Sequence, residues 1–330
     1  MKHIHFVIIL SFAVLIACNG NKSNYDEMTT EQAIEVVSAK IHKNDKDDAL
    51  YYDRARLLMK AGRTNDAIVD LLHAIQLKDD KVEYRLLLAD AYFANGDVEK
   101  SYDALGDVLE LDPDNQEAIL KQGEVAFYSR DYDRALTNLS KVTEQDPNNR
   151  QALFMKSFIY KEKGDTVNAV KLLRKVCDLY PDYAAAYEQL GVLYSEHHDP
   201  MAIDYLSTAI RLDSNNTNTY YVLAMFYQET GNYTLAEETY RQLLAKSPKN
   251  KEAWHNLGYI EMMYNDDDDV AIGYFDHALQ CDSMYVEAYF SRGVAYESKG
   301  DRKHAANDFA KALQIDPTYQ PAADGLKRVK

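Results

Sequence analysis

Four groups of side chains in this sequence are of types that do chemistry. His197 and His198 stand beside Asp199, Asp266 to Asp269 form a carboxylate run, Cys177 and Cys281 are thiols, and Cys18 closes an apolar stretch ending in Leu15, Ile16 and Ala17. Metal ligation by the first group requires convergence, yet adjacent histidines on a turn point apart and have no third ligand at helical spacing. A solvated turn is the expectation. The acidic run lacks the glycine and the closing bidentate glutamate of a calcium loop, and carboxylates entering a helix N-terminus are favoured by its dipole. A bridge between Cys177 and Cys281 would need Cα atoms within about 7 Å, so these are read as packing residues. The chain holds no GxGxxG, P-loop, GxSxG or HExxH pattern, and no catalytic residue, metal site or cofactor is expected.

The elements that carry these groups are helices. With 46% hydrophobic and 27% charged residues, only 7 Pro and 13 Gly in 330, the chain has a globular, helix-rich composition. Its net charge of -16 repels phosphate backbones and anionic headgroups, which argues against nucleic acid as a partner. Small residues recur along it: Ala55, Ala89, Gly123, Ser157, Gly191, Ala224, Gly258 and Gly293 are spaced by 34, 34, 34, 34, 33, 34 and 35. A second series, Ala67, Ser101, Ala135, Ala169, Ala202, Ala236, Ala271 and Ala305, follows about twelve positions behind. Aromatic slots keep the same register, with Tyr51, Tyr187, Tyr220, Trp254 and Tyr289 before the first series and Tyr92, Tyr160, Tyr194, Tyr227 and Tyr296 after it. These tyrosines, with Tyr132 and Tyr233, are expected in the core. Pro113, Pro147, Pro181, Pro248 and Pro317 end the unit, Gly62, Gly96, Gly164, Gly231 and Gly300 break it midway, and Asn115, Asn149, Asn216 and Asn250 are natural N-caps.

This pattern, in the residues Trp254, Leu257, Gly258 and again Ala305, Phe309, Ala312, Asp316, Pro317, resembles the tetratricopeptide repeat (TPR). The resemblance implies an all-α fold, a right-handed superhelical α-solenoid of helix hairpins, each too thin to bury its own apolar face. Eight units begin near Asp48, Val82, Gln116, Arg150, Ala184, Thr217, Lys251 and Val286 and fill residues 48–318. A half-repeat helix carrying Ala33 and Val37 occupies 30–47, and a capping helix carrying Ala323 and Leu326 occupies 319–330. Unit five is one residue short around His197 to Pro200 and unit seven one residue long around Asp266 to Asp269, so both inner turns should be altered while the stacking persists.

Family geometry further implies a concave groove lined by the first helix of each unit. Read onto this chain it selects Tyr52, Arg56, Leu86, Leu120, Phe127, Phe154, Phe158, Lys161, Tyr221, Met225, His255, Tyr259, Met262 and Phe290. The lysines and asparagines of the family's carboxylate clamp are missing, which disfavours an acidic C-terminal tail as ligand. An aromatic wall with Glu188, Glu252, Glu287 and Glu297 along it suits an apolar, partly basic protein or peptide segment. A scaffold or adaptor without catalysis is the expectation; the alternative is a solute- or glycan-binding lipoprotein serving a transport system, with sugars stacked on the same aromatics.

The N-terminus supplies the address. Lys2, an apolar run from Phe6 to Ala17 and a polar stretch after it read as a signal peptide over residues 1–17. Such a run reaches roughly 18 Å as a helix, short of a hydrocarbon core of about 30 Å. Leu15, Ile16, Ala17 and Cys18 resemble the lipobox of bacterial lipoproteins, which implies lipidation at Cys18 and a tether over 18–29. Asn19 in place of Asp is compatible with an outer-membrane address, so that the lipid is the chain's link to a membrane in the bacterial cell envelope.

Overall fold

The computed structural model describes residues 28–330; the signal peptide, Cys18 and most of the tether lie outside the described residues. Those residues form eighteen α-helices and one π-helical segment, with no strand among them. They fall into two compact units, 28–145 and Asp146–Lys330.

In the first unit α1 (Thr30–Lys43) precedes three hairpins: α2 (Asp48–Lys60) with α3 (Thr64–Leu77), α4 (Val82–Ala94) with α5 (Val98–Leu111), and α6 (Gln116–Tyr128) with α7 (Tyr132–Gln145). The second unit begins with the hairpins α8 (Arg150–Glu162) with α9 (Thr166–Leu179), α10 (Ala184–Ser195) with α11 (Met201–Leu212), and α12 (Thr217–Glu229) with α13 (Tyr233–Lys246). It continues with α14 (Lys251–Ile260) and α15 (Asp268–Cys281), joined through the π-helical Glu261–Asn265, then α16 (Val286–Ser298) with α17 (Arg302–Ile315), and ends in α18 (Gln320–Val329). The eight first helices start at the residues the period predicts. Within each unit the helices of a hairpin pack most extensively, each second helix packs on the next first helix, and first helices also touch their counterparts, as α2 touches α4 and α10 touches α12. This is an α-solenoid packing.

The small residues explain the close approach. A Cβ on Gly191 would lie 2.5 Å from Leu206 Cγ, and one on Gly123 would lie 2.8 Å from the Leu139 side chain, so hydrogen is the largest substituent these helix pairs admit. Where the small residue is Ala89 opposite Ser101, the hydroxyl donates to the Ala89 carbonyl at 2.8 Å. The large residues beside this seam, Leu71, Leu139, Leu206, Phe275 and Phe309, are fully buried. Each such side chain contributes about 1.5–3 kcal/mol.

Helix ends follow the local chemistry. Asn115, Asn149, Asn216 and Asn250 each accept a hydrogen bond from a backbone N–H of the helix they precede. Five of the inner turns pass through the left-handed region at Gly62, Gly96, Gly164, Gly231 and Gly300. The other three put Arg130, His198 and Asp266 there, at φ 60°, 52° and 54°. The last two are the turns with the missing and the added residue; the π-helical segment takes up the addition, because its turn is wider by one residue.

One expectation is corrected. Among the slot tyrosines only Tyr51 and Tyr220 are buried; Tyr92, Tyr160, Tyr187, Tyr194, Tyr227, Tyr289 and Tyr296, together with Tyr132 and Tyr233, are half-buried, since each slot lies at the margin of a thin two-helix layer. In α18 the buried face is Ala322, Gly325 and Val329, with Gly325 seated against the Phe309 ring and Leu326 packed half-buried on the same cluster.

Candidate functional site

The expected groove residues lie on the first helices, and each unit carries its own set. In the first unit Tyr52 packs its ring on Tyr84 with centroids 4.8 Å apart, and the Arg56 guanidinium sits 5.9 Å from the Tyr52 centroid. Burial pushes the Tyr52 hydroxyl up, Arg56 only partly opposing it. Leu86 packs onto the core, Leu120 is half-buried, and Phe127 leans on Tyr128 and Tyr132 at 5.5 and 6.2 Å. Lys121 of α6 reaches Asp90 of α4 at 2.6 Å. Burial is the largest single influence and opposes its charge, but Asp90 together with Glu117 and Glu124 overcomes it and the ammonium is raised. That pair fills with intrachain contacts the space between two first helices.

The second unit is more aromatic. Phe154 is only 5% exposed, enclosed edge-on by Phe158 at 5.0 Å and Tyr183 at 5.1 Å, so it supports Phe158 rather than presenting a surface. Phe158 is half-buried, and Lys161 one turn on is paired with Glu196 at 3.0 Å. Tyr221, Met225 and His255 are brought together by Asn256, a residue the periodicity did not single out. Its amide nitrogen stands 2.9 Å from Tyr240 Oη, 3.3 Å from Met225 Sδ and 3.4 Å from Tyr221 Oη. Tyr240 in turn donates to Gln228 at 3.0 Å, and burial drives its hydroxyl well above the ordinary range. Tyr221 is also raised, by burial first.

His255 lies between the Phe275 and Tyr285 rings, 5.5 and 5.4 Å away, with Nε2 3.0 Å from Ser291 Oγ. Burial holds its imidazole below the usual range, which keeps it neutral at pH 7. Tyr259 is half-buried at 6.4 Å from the Tyr264 ring, Met262 packs against the cluster of Ala271, Phe275 and Ala295, and Phe290 meets Phe309 and Tyr319 at 5.9 and 5.7 Å. The wall thus carries large, half-exposed side chains whose rear faces are locked by hydrogen bonds and ring contacts. Rigid aromatics of this kind bury apolar ligand area at low entropic cost.

The remaining reactive groups go to structural duties. His198 is exposed on its turn and faces Glu229 at 3.7 Å. Asp267 caps α15 by accepting from the Val270 N–H, and Asp269 pairs with Lys299. Cys177 is buried, and burial pushes its thiol up to about 12; Cys281 is half-buried. Among the described residues no cluster of three metal-ligating side chains occurs, and no helix is long and apolar enough to cross a membrane.

Comparison with known proteins places this geometry. Models of the tetratricopeptide repeat match residues 58–122 and 202–258, 120–192, and 286–319, together more than half of the chain. A UDP-N-acetylglucosamine–peptide N-acetylglucosaminyltransferase of Giardia intestinalis is 25% identical over 41% of this chain and 9% of its own length. The general transcriptional corepressor ssn6 of Schizosaccharomyces pombe is 26% identical over 36% of this chain and 11% of its own. The chain therefore spans about a tenth of these relatives. Among solved structures, the C-terminal part of a repeat protein from Cytophaga hutchinsonii superposes with a TM-score of 0.64 at 17% identity, covering 74% of this chain and 99% of that one. A repeat protein from Parabacteroides merdae gives 0.53 at 17% identity, covering 75% and 98%.

Proposed function

We propose, from the premise that this chain belongs to the tetratricopeptide repeat family, that it is a lipid-anchored scaffold of the bacterial envelope that holds a protein partner along its first-helix walls and performs no catalysis. The repeat fold supports protein-protein interaction as the mode of action. The observation that carries the reading further is the wall of the second unit, where Phe158, Tyr221, Met225 and Tyr259 stay half-exposed while their neighbours fix their orientation. Residues needed only for packing would gain stability from full burial; pre-oriented, half-exposed aromatics lose little entropy when a partner covers them. The partner is an extended or helical segment with apolar anchors and positive charge. Cys18 and Asn19 support a lipid anchor in the outer membrane, on the sequence alone.

The test is cross-linking in cells with the parent chain and with Phe158→Ser, Tyr221→Ser, Tyr259→Ser combined. Each substitution removes one half-buried ring, at about 1 kcal/mol apiece, spread over three hairpins. Helical content should persist while the cross-linked partner disappears. Unchanged capture of the same partner by the folded triple variant would refute the wall as the binding surface. Metabolic labelling with a tagged fatty acid, lost in Cys18→Ala, tests the anchor.

A further inference from the structure

Four carboxylates stand along the first-helix wall of the second unit, and the chain itself satisfies two of them. Glu188 accepts from the side-chain amides of Asn216 and Asn218 at 3.0 and 2.8 Å, and Glu297 takes both arms of the Arg328 guanidinium at 2.8 and 2.7 Å. Glu252 and Glu287 have no comparable hold among the described residues. The nearest cation to Glu252 is Lys251, 3.9 Å away, and that ammonium is bound 2.6 Å from Asp282. One cation thus faces three carboxylates, Asp282, Glu252 and Glu287, leaving two negative charges uncompensated at this end of the wall.

These two weakly held carboxylates stand near two aromatic rings. Tyr285, just before α16, contacts the His255 ring at 5.4 Å; Tyr319, just before α18, meets Phe290 at 5.7 Å. The Tyr285 hydroxyl is raised by burial first and then by Glu287 and Glu252, and Tyr319 is raised by burial and then by Glu287, so the field of the carboxylates converges on these rings. The π-face of Tyr285 already attracts an ammonium, with Lys251 Nζ 4.9 Å from its centroid. His255, held neutral, adds no opposing charge.

We propose that this patch, formed by Glu252, Glu287, Tyr285 and Tyr319, is the subsite for an arginine side chain of the partner segment. The inference rests on the wall being the partner site, as given above, and adds where and by what chemistry the partner's charge is read. A planar guanidinium can stack on a ring while its edge donates to a carboxylate, which a compact ammonium does less well.

The experiment pans a displayed library of short random peptides on the full chain. Selected peptides should carry arginine next to apolar residues, and replacing that arginine by citrulline, which keeps its shape and removes its charge, should weaken binding about tenfold. On the combined Glu252→Gln, Glu287→Gln variant the same replacement should change nothing, while melting stays near the parent value because Glu287 is exposed and Glu252 is only partly covered. An equal loss on parent and variant overturns the subsite. Peptides that depend on Phe158, Tyr221 and Tyr259 yet carry no enriched arginine also overturn it and leave the wall standing as a partner site. Absence of any wall-dependent peptide overturns both.

Discussion

The seam of small residues makes an unusually sharp prediction, because one chemical change should act with opposite sign at two glycines of the same unit. Gly191 sits inside α10 and Gly273 inside α15. Replacing either by Ala gains about 1 kcal/mol of helix propensity. At Gly273 the new methyl meets nothing within 4 Å, so the gain should survive as about 0.5–1 kcal/mol of stabilisation. At Gly191 the methyl would lie 2.5 Å from Leu206 Cγ and 3.1 Å from the Leu206 backbone nitrogen. Carbon contacts settle at about 3.5–4.0 Å, so the helices must part by roughly 1 Å. Leu206 is fully buried and cannot swing clear. Overpacking of this kind costs about 1–3 kcal/mol, and with the backbone in contact the upper part of that range applies, leaving a net loss of about 1–2 kcal/mol. Urea unfolding of the full chain, followed by far-UV circular dichroism, should move the midpoint up for Gly273→Ala and down for Gly191→Ala. Shifts of the same sign would refute the account of the seam.

Three further outcomes follow from side chains fixed by the fold. Arg292 binds Asp308 of α17 through both guanidinium arms, with the Asp308 side chain only 9% exposed, so Arg292→Met should cost about 3 kcal/mol by leaving a buried carboxylate unpaired, and adding Asp308→Leu should restore most of it in thermal melts. Arg130 occupies the left-handed position that glycine fills in five other turns, and Arg130→Gly should stabilise by about 1 kcal/mol in urea unfolding. His255 is held below its ordinary 6.5 by burial, so below that pH the unfolded chain takes up the proton first, and stability is full above about pH 6.5 and falls as pH drops through it. His255→Gln should flatten the fall, read as the difference between its melting profile and the parent's across that window.

The period itself was legible because it is enforced by sterics at single positions. Only a hydrogen fits where Gly191 faces Leu206, a small Ala89 lies where Ser101 approaches, and an asparagine before a helix advertises its role in capping with its own side chain. Helix starts therefore follow from one-residue signals. The wall was less legible, since whether a side chain is free depends on partners roughly thirty positions away. Phe154 occupies a groove position and is enclosed by Tyr183; Glu188 occupies another and is bound by Asn216 and Asn218. Asn256, which ties Tyr221, Met225 and Tyr240 together, had no periodic signature at all. Its signal would have been a polar residue one position after His255 on a face otherwise apolar.

Why the irregularities of units five and seven stay in the turns is a matter of relative cost. A non-glycine residue in the left-handed region costs about 1–2 kcal/mol, which His198 and Asp266 incur at φ 52° and 54°. Letting the missing or added residue slide into a helix would instead unseat Leu206 from Gly191 or Phe275 from Gly258, losing core contacts worth about 3–5 kcal/mol. The seam wins, and Phe275 still meets Gly258 at the distance that forbids a Cβ. The added residue also gains new contacts where it is put. Widening Glu261–Asn265 into a π-helical turn stacks the Tyr264 ring on Tyr233 of the preceding hairpin at 3.4 Å and lets Asn265 donate to Glu237 at 2.9 Å. The added residue is thus converted into an additional link between neighbouring hairpins at the turn edge, while the Gly258–Phe275 seam of the same hairpin stays closed.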